Sequence, residues 1–254
     1  MDVSIIIPAA NCSHSIEKTV RALRDYLKKL GVTFEILLVP NGIPSDETQL
    51  TQKACERLAG EFTEVKLYEL LGPPGKGRAI ASAVEKTSGK NLYYTDADSP
   101  FDLSFIGEAE KLLKGSTGLV VGNRRLPESR FIVPPGLMGL AYRRHKLGVL
   151  FNAAVRFLFG FSVTDSQAGL KGMKRELALM AFPKMVCDGF LFDIELLLVA
   201  KRTGFETREL PLTFRLSTEK STVRIFRECF LSLYWFWRIK LRDLKGGYVG
   251  RMDR

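Results

Sequence analysis

Short apolar runs alternate with amphipathic segments along the first half of the chain. The run from Val3 to Ile7 stops at Pro8, which is the pattern of a strand buried on both faces. A helix-spaced stripe of Ile16, Val20 and Leu23 follows it. The alternation continues with strands predicted at 34–39, 65–70, 91–95 and 118–122, and helices at 15–29, 46–58, 78–87 and 103–113. This spacing predicts an α/β domain with a mostly parallel sheet flanked by helices.

The second half of the chain has a less regular pattern. Prolines and glycines between Pro127 and Leu140 predict a loop without regular elements. Further elements are predicted as helices at 142–159 and 190–202, and as a strand at 208–214. Apolar residues at helical spacing over 226–241 predict an amphipathic C-terminal helix. The chain therefore divides into an expected α/β domain over residues 1–220 and a basic helix and tail over 221–254.

Charge is distributed unevenly along the chain, whose net charge is +10. Residues 1–122 carry 14 basic and 16 acidic side chains, whereas residues 123–254 carry 24 basic and 12 acidic ones. This asymmetry predicts an anionic partner for the second half, such as nucleic acid, a membrane surface or a phosphorylated ligand. Because the basic stretches contain no recognisable nucleic-acid-reading motif, we expect no nucleic-acid partner.

Cysteine spacing and hydropathy indicate the compartment. The four cysteines lie far apart, which predicts reduced thiols and neither a disulfide framework nor a zinc site. The N-terminus has no basic region before an apolar run, so we expect no signal peptide. No uncharged apolar run approaches the roughly 18 residues of a membrane-spanning helix. Together these features predict a cytoplasmic protein.

The predicted strand that begins at Asn91 ends in two aspartates, Asp96 and Asp98, separated by Ala97. Because side chains alternate along an extended segment, both carboxylates face the same way. They lie at the carboxyl end of a strand, where open α/β sheets bind their ligands. Two such oxygen donors could hold Mg²⁺ or Mn²⁺ against substrate phosphates. The alternative is two solvated acids in a turn before Pro100.

Other polar turns are expected at the same edge of the sheet. Asn11 follows the first strand, and Asn41 follows the second. Gly75-Lys76-Gly77 precedes a predicted helix, so its backbone N–H groups and Lys76 could contact an anion.

Six motifs, in this order, resemble those of the inverting GT-A glycosyltransferases, and most closely the branch that makes dolichyl- or polyprenyl-phosphate sugars. They are Ile5-Ile6-Ile7-Pro8-Ala9-x-Asn11, Gly75-Lys76-Gly77-x-Ala79, Asp96-Ala97-Asp98, Gly122-Asn123-Arg124, Thr164-Asp165-Ser166-Gln167-Ala168-Gly169-Leu170-Lys171 and Gly189-Phe190-Leu191-Phe192-Asp193-Ile194-Glu195. The resemblance covers roughly residues 1–225. It implies a GT-A (Rossmann-like) fold and metal-dependent transfer of a hexose from a nucleotide sugar.

The resemblance also implies roles for individual positions. Those expected to bind the nucleotide sugar are Pro8, Ala9, Asn41, Lys76, Asp96, Ala97 and Asp98. The metal, Mg²⁺ or Mn²⁺, is expected on Asp96 and Asp98, with Asp98 as the principal ligand. Residues expected to hold the acceptor phosphate are Arg124, Arg143, Arg144 and Lys171. The catalytic set is Asp98, Asp165, Arg124 and Arg143, and Gln167 is expected to shape the reaction centre with Asp165 and Lys171.

The sequence departs from the family pattern at three places. Cys12 replaces a usual Glu, and Pro40-Asn41 replaces a usual Asp-Asp pair. Pro100 stands where the mannosyl branch often has a Gln metal ligand. A UDP-sugar donor is therefore favoured over GDP-mannose.

The distribution of basic residues indicates the chemical class of the acceptor. A phosphate monoester needs no general base because its oxygen is already ionised at neutral pH, whereas a sugar hydroxyl does need one. Residues 123–146 carry six basic side chains and one acidic one, which suits the approach of two phosphate groups. We therefore expect a polyprenyl (dolichyl-type) phosphate acceptor. The alternatives are a saccharide hydroxyl with Asp188 or Asp165 as the base, and a basic binding domain without turnover.

The C-terminal helix combines aromatic and basic residues. Residues 215–254 carry ten basic and four acidic side chains, which favours anionic lipid. Trp235 and Trp237 beside Arg238 and Lys240 suit the headgroup boundary of a bilayer. This pattern predicts a peripheral protein on the cytoplasmic face of a membrane. Alternatively, the stripe packs on the core or on a partner subunit, which could be embedded in the membrane.

Overall fold

The computed structural model describes residues 1–98, 101–216 and 225–249, and in the last range it describes side chains from residue 232 onward. Pro100, the side chains of Phe226 and Phe230, and the expected boundary at residue 220 lie outside the described residues. The strands are β1 (Val3–Ala9), β2 (Phe34–Pro40), β3 (Val65–Leu67), β4 (Asn91–Tyr94), β5 (Thr117–Asn123), β6 (Arg130–Ile132), β7 (Lys171–Lys174), β8 (Glu206–Pro211) and β9 (Thr213–Arg215). The helices are α1 (Ile16–Leu30), α2 (Asp46–Glu61), α3 (Lys76–Val84), α4 (Ser104–Leu113), α5 (Met138–Phe159), α6 (Arg175–Ala181), α7 (Phe192–Arg202) and α8 (Ile225–Leu244).

Seven strands form one sheet in the order β3-β2-β1-β4-β7-β5-β8. All neighbouring pairs are parallel except those of β7, which runs antiparallel to both β4 and β5. The expectation of a mostly parallel sheet flanked by helices is confirmed. The sequence pattern predicts a short strand near Lys171, but it does not give the direction of that strand, because direction depends on which strands it joins.

The two faces of the sheet pack into two apolar clusters. Ile5 and Ile7 of β1 face the cluster of α1, α2 and α4, whereas Ile6 faces that of α3, α6 and α7. This alternation follows from the two-residue period of a strand. Helix ends follow familiar rules: the Ser45 side chain accepts from Thr48 N at 3.1 Å, and α1 ends at Gly31 with φ of 70°.

The expectation of an irregular loop over Pro127–Leu140 is wrong. This stretch contains β6, a 3-10 turn at Pro135–Leu137 and the start of α5 at Met138. β6 pairs in parallel with β9 and forms a separate two-stranded ribbon, in which the Phe131 and Phe214 rings lie 5.5 Å apart. The partner strand lies more than 80 residues away along the chain, so local sequence cannot reveal the pairing. The strand expected at 208–214 is likewise divided into β8 and β9 at Leu212.

The C-terminal helix α8 packs one side against the α/β domain. Ile239 is buried, and Phe236 lies 5.3 Å from the Phe151 ring of α5. Asp243 accepts two hydrogen bonds of 2.9 Å from the Arg202 guanidinium at the end of α7. Because these contacts use one side of the helix, its opposite side is left to solvent or to a partner.

Candidate functional site

The carboxyl ends of β2, β1 and β4 lie side by side, since β1 pairs with both of the others. Asn41 N donates to Ala9 O at 2.9 Å, and Thr95 N donates to Ile6 O at 3.3 Å. The expected nucleotide-sugar residues at these strand ends are thus brought to one edge of the sheet. The Oδ1 atom of Asn41 is buried there, and no donor among the described residues reaches it.

Lys76 joins the first turn of α3 to the end of β4. Its ammonium lies 2.5 Å from Asp96 Oδ1, and its side chain is only 15% exposed. Burial lowers the pKa of Lys76, but the carboxylates of Asp96 and Asp193 outweigh this effect, and the pKa is raised. Lys76 therefore stays charged beside Asp96.

The loop that precedes β7 passes directly over Asp96. A Cβ atom at Gly169 would lie 2.0 Å from Asp96 Oδ2, so a side chain at this position would force the carboxylate or the loop to move. Asp96 consequently lies between Gly169 and Lys76, with 34% of its side chain exposed. β4 ends at Tyr94, and Ala97 and Asp98 lie in a turn, so the expectation that the two carboxylates alternate along an extended strand is wrong. Asp98 is exposed on this turn.

The two aspartates fit a divalent metal that is shared with a substrate. No three His, Cys, Asp or Glu side chains in the described ranges come together in a way that could hold a metal ion. Mg²⁺ in phosphate-binding sites is commonly held by one or two carboxylates together with substrate phosphates. Cys12 adds no negative charge, because burial raises the pKa of its thiol to about 12. Asp96 and Asp98 are thus the side chains that would hold such a metal.

Arg124 and Asp165 form a bidentate pair beside this edge. Arg124 Nε and Nη2 donate to the two carboxylate oxygens at 2.7 and 2.9 Å, and Arg124 N donates at 3.1 Å. Asp165 is fully buried. Burial raises the pKa of Asp165, but the Arg124 guanidinium outweighs it, and the pKa is lowered. Asp165 is therefore a carboxylate that already accepts three hydrogen bonds.

Lys171 does not face an acceptor site, which contradicts the expected phosphate contact. Its side chain is fully buried, and its ammonium donates to Ala168 O at 2.7 Å and to Asp193 Oδ1 at 2.6 Å. Burial lowers the pKa of Lys171 despite the attraction of Asp193. Lys171 instead supports the turn that carries Gly169.

Three arginines line a pocket of about 160 Å³ between α5 and the β6–β9 ribbon. They are Arg124, Arg125 and Arg144, and the apolar walls include Phe131, Val133, Phe214 and Leu216. Arg143 is exposed on α5 and does not line this pocket.

Arg125 is a pocket residue that the family motifs do not single out. Burial lowers the pKa of its guanidinium, and no carboxylate in the described ranges forms an ion pair with it. Its Nη2 atom lies against Gly148 of α5, where an added Cβ would be 3.0 Å away. In the sequence, Arg125 is the second of two consecutive arginines after Gly122-Asn123. Its place in a pocket depends on the packing of α5, which the sequence alone does not reveal.

A short segment, Val186 to Gly189, covers the start of α3. Cβ atoms at Gly75 and Gly77 would lie 2.5 Å from Asp188 O and 2.6 Å from Cys187 O. Asp188 also pairs with Arg78, whose Nη2 lies 2.5 Å from Oδ2. This segment therefore fixes the glycine-flanked turn that carries Lys76. The carboxylate of Asp188, an expected candidate for the general base, is paired with Arg78.

The sequence that forms these features matches a known family. Residues 4–178 match the model of Glycosyl transferase family 2. The chain belongs to this family. The expected resemblance to GT-A glycosyltransferases is therefore confirmed, and the matched range includes both aspartates and the pocket arginines.

Curated proteins with similar sequences come from both archaea and eukaryotes. Glycosyltransferase AglD of Haloferax volcanii is 30% identical over 84% of this chain, but the match covers 33% of AglD. Dolichyl-phosphate beta-glucosyltransferase of Saccharomyces cerevisiae is 26% identical, over 84% of this chain and 66% of the yeast protein. The chain thus spans a third to two thirds of the length of these two relatives.

Solved structures agree on the fold. Glucosyl-3-phosphoglycerate synthase from Mycobacterium tuberculosis, in complex with Mn²⁺, UDP and glucosyl-3-phosphoglycerate, superimposes with a TM-score of 0.59. The identity is 18%, and the superposition covers 99% of this chain and 81% of the synthase. This likeness confirms the GT-A architecture expected for the family 2 chain.

Gly169→Ala tests the close approach of the loop to Asp96. The added methyl group must displace either the Asp96 carboxylate or the loop, so we expect a loss of about 1–3 kcal/mol in the free energy of unfolding. Gly189→Ala is the matched control, since a Cβ there meets nothing within 4 Å. Denaturant unfolding of both variants measures the difference, and equal stabilities would contradict the close contact between Gly169 and Asp96.

Proposed function

We propose that this protein transfers a hexose from a nucleotide sugar to polyprenyl phosphate at a membrane surface. The observation that carries the proposal is a single loop between α5 and β7 that contacts two sites. Gly169 of this loop covers Asp96, and Asp165 of the same loop pairs with Arg124 at the cation-lined pocket. A donor held at the aspartates would therefore lie next to an acceptor held at the arginines.

The donor site suits a nucleotide diphosphate. Lys76 offers a cation beside the aspartates, and the buried Asn41 Oδ1 would accept a hydrogen bond from an N–H group of the base. Several relatives are named dolichyl-phosphate beta-glucosyltransferases, including the yeast, mouse and human proteins. These names favour glucose as the hexose, with UDP-glucose as the donor to try first.

Asp96 and Asp98 would hold Mg²⁺ or Mn²⁺ at the donor diphosphate. The bound metal would supply positive charge to the phosphate leaving group. The residues of the chain itself have three tasks: Lys76 orients Asp96, Asp98 presents its carboxylate at the site, and Gly169 lets the loop lie against Asp96. Asp165 holds the Arg124 guanidinium in a fixed direction at the pocket.

The acceptor site suits a phosphate attached to an apolar chain. Arg125 and Arg144 would bind the phosphate oxygens, while the aromatic and aliphatic walls of the pocket would contact the lipid. A phosphate acceptor needs no general base. The saccharide-hydroxyl alternative is less well supported, because Asp165 is occupied by Arg124 and Asp188 by Arg78.

Two neighbouring helices present apolar and basic side chains suited to a membrane surface. On α5, Leu150 is 70% exposed and Phe157 is 89% exposed, and the 22 residues of this helix include no Asp or Glu. On α8, Leu233 and Trp237 are 67% and 68% exposed. No helix within the described ranges is both long and apolar enough to cross a bilayer. Binding to the anionic cytoplasmic leaflet fits this mixture of apolar and basic groups.

The central test is an assay of purified protein with UDP-glucose, polyprenyl phosphate and Mn²⁺. We expect formation of a sugar–lipid phosphate, and a loss of about 100-fold or more in kcat/KM for Asp98→Asn, because the site loses charge at the diphosphate. Asp25→Asn, an exposed aspartate on α1, is the control and should retain full activity.

Two outcomes of this assay would contradict the proposal. Transfer to a saccharide hydroxyl in preference to polyprenyl phosphate would favour the alternative acceptor. Absence of transfer, together with absence of metal-dependent nucleotide binding by calorimetry, would favour a basic binding domain without turnover.

Arg125→Gln tests the acceptor pocket. Loss of one charge-assisted contact of about 1.5–3 kcal/mol predicts a KM for polyprenyl phosphate that rises about tenfold or more. The KM for the nucleotide sugar should be unchanged. Arg57→Gln on α2, an exposed arginine remote in sequence, should alter neither constant. If Arg125→Gln instead raised the KM of the donor alone, the acceptor would lie elsewhere.

Trp237→Gln combined with Leu150→Gln tests the membrane surface. We expect weaker co-sedimentation with phosphatidylserine vesicles, because apolar area that would enter the interface is removed. Leu71→Gln, a leucine that is 84% exposed outside both helices, is the control. Binding of the wild-type protein to the vesicles should weaken as the salt concentration rises, and also when phosphatidylcholine replaces phosphatidylserine. Unchanged binding of the double variant would favour a protein partner for this surface.

A further inference from the structure

Glu195 of α7 is a buried carboxylate to which the proposed chemistry assigns no part. It is fully buried and accepts hydrogen bonds from Val186 N at 2.9 Å and Cys187 N at 2.8 Å. A third donor, the Tyr248 hydroxyl, lies 2.6 Å from Oε1. Glu195 thus joins the segment from Val186 to Gly189 to the residues that follow α8.

Tyr248 is held firmly at the end of the C-terminal helix. Its side chain is fully buried, and the Arg242 guanidinium lies 5.6 Å from the centre of its ring. Gly247 N donates to Arg242 O at 2.9 Å, which folds the chain back on the helix. Asp243, in the last turn of α8, is paired with Arg202 of α7. The position of the hydroxyl is therefore fixed by the docking of α8.

The segment that Glu195 holds is the one that covers the Lys76 turn. Asp188 O accepts from Arg78 N at 3.2 Å, and the backbone oxygens of Cys187 and Asp188 approach Gly77 and Gly75 too closely for any side chain. Because this hydrogen bond and these contacts join the two segments, we expect a shift of the segment to move the start of α3. Such a shift would carry Lys76 away from Asp96.

We propose that Tyr248 and Glu195 are positioning residues for the nucleotide-sugar site, through which α8 holds the Val186–Gly189 segment against the Lys76 turn. The identity of the ligand rests on the proposed function, whereas the connection from Tyr248 through Glu195 to the Lys76 turn does not. Glu195 is suited to this task, because a carboxylate accepts from two backbone N–H groups and a hydroxyl at once. Burial raises the pKa of Glu195, and the three donors oppose that rise.

Removing the Tyr248 hydroxyl is the direct test. For Tyr248→Phe we expect faster amide hydrogen exchange in residues 186–189 and 75–78, and weaker binding of UDP with Mn²⁺ by about three- to tenfold. The KM for the nucleotide sugar should rise by a similar factor, while kcat and the KM for polyprenyl phosphate stay near wild type. Glu195→Gln should show the same pattern more strongly, because an amide has one oxygen to offer where the carboxylate has two.

Tyr234→Phe is the matched control on the same helix. Its hydroxyl is exposed and accepts a hydrogen bond from Arg238 at 2.9 Å, outside the proposed connection. This variant should leave both exchange and UDP affinity unchanged. If Tyr248→Phe behaved like Tyr234→Phe, or accelerated exchange without weakening UDP binding, the positioning role would be refuted. If wild-type protein bound no nucleotide while exchange responded as expected, the proposed function would fail and the structural connection would stand.

Discussion

The insertion of β7 between β4 and β5 is the constraint on which the site depends. Because β7 runs antiparallel to its neighbours, the loop that precedes it reaches the edge where the parallel strands end. That loop covers Asp96 with Gly169 and holds Arg124 with Asp165. The two aspartates and the arginine pocket are therefore adjacent because of one strand, and the buried Lys171 at the start of β7 fixes the turn between them.

The fully buried charges described around this loop are matched by opposite charges or by several donors. Asp165 faces Arg124, Lys171 faces Asp193, and Glu195 accepts from two amides and a tyrosine. An unpaired buried charge costs several kcal/mol, so each group fixes the position of its partner. Arg125 differs from these groups, because it is partly buried and forms no ion pair among the described residues. A cation left in this state is suited to an anionic ligand, which is why we assign the acceptor phosphate to its pocket.

Regular elements and strand-end residues could be predicted because their signals are local. The apolar run of β1 and the helical stripe of α1 depend on periods of two or 3.6 residues, and the two aspartates follow closely on the apolar residues of β4. The ribbon of β6 and β9 could not be predicted, since its hydrogen bonds join segments more than 80 residues apart. The burial of Lys171 could not be predicted for a related reason: the motif identifies a cation, but its burial depends on the residues that pack around it.

By itself, the sequence determined the α/β class, the aspartate pair at the end of β4 and the family to which the chain belongs. These depend on residue order and short-range periodicity. The tertiary structure alone decided the direction of β7, the pairing of Arg124 with Asp165, the pocket that Arg125 faces and the connection from Tyr248 to the Lys76 turn. Each of these is a contact between residues distant along the chain, and such contacts are set by packing and by the pairing of buried charges.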